Sequence, residues 1–100
     1  MSERLRRVNE ALREVLSEEI RALKDPRIGF VTITGVKTSR DLRQATVYIS
    51  VLGSKRKREA SLAGLASSGG VLQAAVNREL HLKRTPQLSF EYDPTTEEGV

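Results

Sequence analysis

LAGLASSGGVLQAAVNRELHL, residues 62–82, decides the fold. It carries two helical stripes, Leu62, Leu65 and Ala66 before Ser67-Ser68-Gly69-Gly70, and Leu72, Ala75, Val76 and Leu80 after it. Paired glycines cost a continuing helix about 2 kcal/mol relative to alanines. The two serines beside them compete for local backbone hydrogen bonds. A sharp break is therefore predicted within Ser67 to Gly70, with an apolar flank on each side to lay on a sheet. The break frees backbone N–H groups at the start of the second helix, where the helix dipole attracts phosphate. A plain helix–turn–helix corner accounts for the same residues, since Gly-Gly between helices is usually a turn. On the phosphate reading, alanine at Gly69 and Gly70 would straighten or strain the pair and displace its N–H donors.

Working outward, Lys83-Arg84-Thr85-Pro86 is a basic connector, and Pro86 stops any helix. Gln87 to Tyr92 is a short strand with Leu88, Phe90 and Tyr92 on one face. Asp93 to Val100 is polar and is expected to be a poorly ordered tail on a single domain of residues 1–92. Upstream, Lys55, Arg56, Lys57 and Arg58 are four consecutive cations, either a solvated loop or helix start, or a phosphate contact. Gln44 to Leu52 alternates as a strand, Ala45, Val47, Ile49 and Val51 inward, Thr46, Tyr48 and Ser50 outward. Ile28 to Val36 is a second strand with a candidate bulge at Gly35, joined to it through a turn at Thr38-Ser39-Arg40-Asp41. A polar outer face fits a sheet covered on one side only.

Glu3 to Lys24 is a long amphipathic helix with Leu5, Val8, Leu12, Val15, Leu16, Ile20 and Leu23 on one face. Arg4, Arg6 and Arg7 crowd its start, against the dipole. The core expected from these periodicities is Leu12, Leu16, Ile20, Ile33, Val47, Ile49, Leu65, Leu72, Val76, Leu80, Leu88 and Phe90.

One hundred residues suffice for one domain with a modest core. The net charge is +4, but Asp93, Glu97 and Glu98 fall in the last eight residues, leaving 17 cations against 10 acids, +7, in the body. So basic a body suits an anionic partner, most often nucleic acid. No apolar run approaches the ~20 residues of a membrane helix, no signal-peptide core follows the charged N-terminus, and cysteine is absent. These features point to the cytoplasm. Catalysis finds little support: His81 is the one histidine, and no P-loop, dinucleotide fingerprint or calcium loop occurs. Three classes remain: an RNA-binding module, a helix–turn–helix DNA-binding protein presenting Gln73, Asn77, Arg78 and His81, and a protein–protein adaptor.

Helix, strand, strand, broken helix pair, strand is the order of a type II KH domain, and the chain resembles that α+β fold. The resemblance implies a three-stranded mixed sheet with helices on one face, and the third strand parallel to the second. More specifically, Lys24-Asp25-Pro26-Arg27-Ile28-Gly29, Val31-Thr32-Ile33-Thr34-Gly35-Val36, Ser39, Asp41-Leu42, Ala45 and Val47-Tyr48-Ile49-Ser50-Val51 resemble the ribosome-binding factor A family. Leu82-Lys83-Arg84-Thr85-Pro86-Gln87-Leu88, Phe90 and Tyr92-Asp93 resemble that family's terminal motif. The resemblance implies a non-catalytic assembly factor that binds the small ribosomal subunit during late maturation of 16S rRNA and assists cold adaptation. The expected partners are 16S rRNA and the small subunit, with no membrane and no cofactor, and the expected state is a monomer. The family's Ala-x-Gly kink falls on Ser68-Gly69-Gly70, with serine in place of alanine. Gln73 stands where the family commonly has arginine, and Gln87 where it commonly has glutamate. Phosphates are expected at Lys55, Arg56, Lys57 and Arg58, at Ser68, Gly69 and Gly70, and at Arg78, Lys83 and Arg84. Only 4% of residues are aromatic, which argues for shape and backbone contacts over extensive base stacking.

Overall fold

The computed structural model describes residues 2–95; Met1 and residues 96–100, which hold Glu97 and Glu98 of the expected tail, lie outside the described residues. Helix α1 spans Glu3–Ala22. The Ser2 hydroxyl caps it by accepting the Leu5 N–H at 3.2 Å. The helix ends two residues short of Lys24, with Leu23 already extended ahead of Asp25-Pro26. Val8, Leu12, Leu16 and Ile20 are its buried stripe. Two of the three arginines at its start are locally matched: Arg6 bridges Glu3 and Glu10, the latter at 2.7 Å, and Arg7 lies 3.4 Å from Glu3.

Strand β1 spans Val31–Thr38 and β2 Gln44–Val51. They pair antiparallel. β1 thus starts and ends later than Ile28 to Val36. Ile28 and Gly29 are drawn out of the ladder towards a helix, the Gly29 N–H donating to the buried Ser61 hydroxyl at 3.0 Å. At the other end Thr38, assigned to the turn by composition, is a buried strand residue whose hydroxyl donates to Asn9 Oδ1 at 2.6 Å. The bulge is present: the register slips between Ile33 and Gly35, leaving Thr34 without a partner in the ladder. The slip lets Ile33 and Val36, an odd number of residues apart, both face the core. Strand β3, Gln87–Tyr92, pairs parallel to β2, giving the order β1-β2-β3. Ala45, Val47 and Ile49 lie beside Leu88, Phe90 and Tyr92, so these six share the covered face. Asp93, read as the first residue of the tail, is held to the sheet. Its N–H donates to Ile49 O at 2.8 Å, and its carboxylate accepts from the Thr34 hydroxyl at 2.7 Å.

Helices α2, Lys55–Ser67, and α3, Gly69–Leu80, complete the chain in the expected order. The break is a single residue, Ser68. One cluster joins Leu12, Leu16 and Ile20 of α1 with Ile33, Ala45, Val47, Ile49 and Val51 of the sheet and Leu65, Leu72 and Val76 of α2 and α3. Of the expected core, only Leu80, Leu88 and Phe90 remain half-buried, packed against this cluster.

Gly64 explains how α2 seats. A Cβ there would lie 2.6 Å from Ile28 Cγ1 and 3.3 Å from Asp25 Oδ2. Alanine gains about 1 kcal/mol of helix propensity, but overpacking costs about 1–3 kcal/mol, and Cγ1 sits too near the Ile28 backbone to swing aside. Gly64→Ala is therefore expected to lower the urea midpoint of unfolding. A midpoint at or above that of the unsubstituted chain would show that the Ile28 loop yields freely.

Candidate nucleic-acid interface

The chain leaves β2 through Gly53, whose φ of 122° favours glycine, and enters α2 at Ser54. The Ser54 hydroxyl accepts the Lys57 N–H at 3.3 Å, so the basic run is the first turn of a capped helix rather than a loop. No acid accompanies it there. Lys55, Arg56 and Lys57 are exposed, and among the described residues none has an ion-pair partner. Arg58 departs from the other three. It turns inward and places its guanidinium carbon 4.2 Å from the Tyr92 ring centroid, a cation–π contact between α2 and β3. Cations at a helix N-terminus oppose the dipole. At α1 acids offset this; at α2 nothing in the first turn does.

The kink lies at the other end of α2, about 20 Å away at 1.5 Å per residue. Gly69 and Gly70 are not turn residues. Both belong to the first turn of α3, and neither has a positive φ. A Cβ built on either meets nothing within 4 Å. The expectation that alanine would strain the helix pair is thus overturned, because the bend resides in Ser68 (φ −91°, ψ 8°) and the space above both glycines is open. Substituting both by Ala is expected to raise stability by about 0.5–1 kcal/mol each, seen as a higher unfolding midpoint. A fall would mean that the helix start needs glycine for reasons of backbone conformation. The Ser68 side chain makes no capping bond, so no side chain covers the N-terminal N–H groups of α3 from that position.

Gln73, one turn further, is a clamp that sequence reasoning missed. Its side chain donates to Pro86 O at 2.7 Å and accepts the Leu88 N–H at 3.3 Å. It ties α3 to the start of β3, and so ties the kink to the connector bearing the exposed Lys83 and Arg84. Arg78 is engaged elsewhere, 3.5 Å from Glu19 of α1 and 3.5 Å from Glu79. The ten expected contact residues therefore divide. Lys55, Arg56 and Lys57 form one cationic patch beyond the end of β2. Ser68, Gly69, Gly70, Lys83 and Arg84 belong to a second region leading into β3, whose first residue pairs with the first residue of β2. Arg58 and Arg78 serve intramolecular contacts.

Asp25 is held below the usual carboxylate range by the Arg27 guanidinium and backbone N–H, and Asp93 by the Thr95 and Thr34 hydroxyls. Both stay ionised near neutrality and act as hydrogen-bond acceptors. Among the described residues no group of three or more His, Cys, Asp or Glu is placed to hold a metal ion, and no helix is long and apolar enough to cross a membrane. Of the four side chains a DNA-reading α3 would present, Gln73 and Arg78 are engaged in intramolecular contacts, while Asn77 and His81 stay exposed.

The profile of the family described as Ribosome-binding factor A matches residues 4–100. The chain is 48% identical over 100 residues to ribosome-binding factor A of Geobacter metallireducens, covering 99% of this chain and 85% of that protein. The crystal structure of ribosome-binding factor A from Thermus thermophilus superposes with a TM-score of 0.80 at 31% identity, covering 88% of this chain and 93% of that one. A homology model of the Thermus thermophilus factor, fitted into a cryo-EM map of a 30S complex, gives 0.73 at 31% identity, over 87% of this chain and 92% of that one.

Proposed function

The chain belongs to the ribosome-binding factor A family, and on that premise we propose that it binds the small ribosomal subunit as a non-catalytic assembly factor. Its partner is 16S rRNA on free small subunits in the cytoplasm, during late maturation and pre-rRNA processing, with a part in cold adaptation. It works as a monomer, by contact rather than by chemistry. The observation that carries this reading is the first turn of α2. Lys55, Arg56 and Lys57 stand exposed and, among the described residues, unpaired at a helix N-terminus with no acid in the same turn. That arrangement opposes local electrostatics and gains from a polyanion that neutralises it. The open backbone at Gly69 and Gly70 supports a second contact, where a phosphate approaches the N–H groups of α3 without meeting a Cβ. Alanine at both glycines then lowers affinity while leaving the fold intact.

The test is co-sedimentation of the chain with free small subunits, large subunits and whole ribosomes. The expected result is association with free small subunits alone. Association with large subunits, or association that survives digestion of the RNA, overturns the reading.

A further inference from the structure

Of the large apolar side chains among the described residues, Phe30 is the most exposed, at 81%, followed by Leu52 at 75%. They oppose each other at the end of the β1–β2 ladder, where the Leu52 N–H donates to Phe30 O at 3.1 Å. Both line an open groove of about 620 Å³ together with Leu23, Ile28, Arg21 and Lys57. That volume is within the range of pockets that hold small organic groups. The groove has no carboxylate in its lining. The stem of Lys57 lies over Gly53, beside Leu52, so the cation carrying the phosphate reading and the apolar tip share one site.

We propose that the Phe30–Leu52 groove receives an unpaired nucleobase of RNA, stacked on the Phe30 ring while Lys57 and Arg21 meet the flanking phosphates. The proposal rests on the RNA-binding reading above and adds a base contact to it. A protruding aromatic ring beside cations is the arrangement by which single strands are held, each stacked base contributing about 1–3 kcal/mol. The cationic, acid-free lining favours a polyanion over an acceptor groove for a basic protein segment. Low aromatic content limits how many bases can be stacked; it does not remove stacking.

The probe is a single-stranded decaadenylate carrying one 2-aminopurine, read by fluorescence quenching and by titration at several salt concentrations. Phe30 is almost wholly exposed, so Phe30→Ala should fold normally, as checked by circular dichroism. It is expected to weaken binding by about 5- to 150-fold, the range corresponding to one stacked base, with quenching lost and the salt slope unchanged. Phe30→Trp should restore both. Replacing Lys55, Arg56 and Lys57 by Ser should instead flatten the slope. If the serine variant flattens the slope while Phe30→Ala binds and quenches like the unsubstituted chain, the stacking site is wrong and the phosphate reading stands. An unsubstituted chain that neither binds nor quenches the oligonucleotide overturns the stacking proposal. Loss of small-subunit binding in Phe30→Ala with unchanged oligonucleotide binding would assign the groove to a ribosomal protein. A dimer of the chain, dissociated by Phe30→Ala, would assign it to a second copy. Either outcome overturns the proposal.

Discussion

Replacing Lys55, Arg56 and Lys57 together by Ser is expected to weaken small-subunit binding and to flatten the plot of log affinity against log salt by about 2 units, roughly 0.7 for each phosphate no longer neutralised. Across a fourfold rise in salt, the unsubstituted chain should then lose about 20-fold more affinity than the variant. Arg58 stays in place. Its guanidinium stacks on Tyr92, so substituting it would disturb the packing of α2 on β3 and confound the reading. The other three are exposed and sit where the helix dipole disfavours them, so their removal should leave the unfolding midpoint near its original value. A drop in affinity would then report on binding and not on folding. A variant with unchanged affinity and slope would reduce the basic run to a solvated helix start. Alanine at Gly69 and Gly70 offers the complement, since it removes no charge: affinity should fall at constant slope.

Ile49→Ala should cost about 2–5 kcal/mol of stability. Ile49 is fully buried in the central strand, flanked in register by Ile33 of β1 and Tyr92 of β3. Both neighbouring strands and the helices above them close over it, so the cavity cannot collapse from a free side. For a domain whose total stability is about 5–15 kcal/mol, such a change would be a large fraction of the whole. Ile49→Val, which removes one methylene, should cost about 0.5–1.5 kcal/mol. Urea midpoints for the pair test this, and equal midpoints for Ile49→Ala and the unsubstituted chain would contradict the placement of Ile49.

The elements that repeat a period are legible in the sequence. The stripe Leu12, Leu16, Ile20 and the alternation Ala45, Val47, Ile49, Val51 each announce a covered face within one short segment. The helix break is legible too, because a run of two serines and two glycines lowers helix propensity, although only Ser68 leaves the helix. Pairings across long stretches of chain are not. Arg58 meets Tyr92 34 residues later, and Gly64 makes room for Ile28 36 residues earlier. Such pairings redirect residues whose local pattern says something else. Ile28 and Gly29 look like strand but are drawn onto α2, and Thr38 looks like turn but is buried beside Asn9. The same holds for the candidate interface. The basic run is visible as a run, yet only the fold separates its three exposed cations from the one that packs. Gln73 carries no local signal of its role in the sequence. Its clamp on Pro86 and Leu88 becomes visible only once β3 lies beside α3.

Ultraviolet crosslinking of the chain bound to free small subunits, with the adducts assigned to individual residues, tests most directly whether both ends of α2 face RNA. Nucleotide adducts are expected at residues 55–57 and in the segment around Gly69 and Gly70. Adducts confined to the uncovered sheet face at Thr32, Thr46 and Ser50, or crosslinks to ribosomal proteins alone, would contradict it.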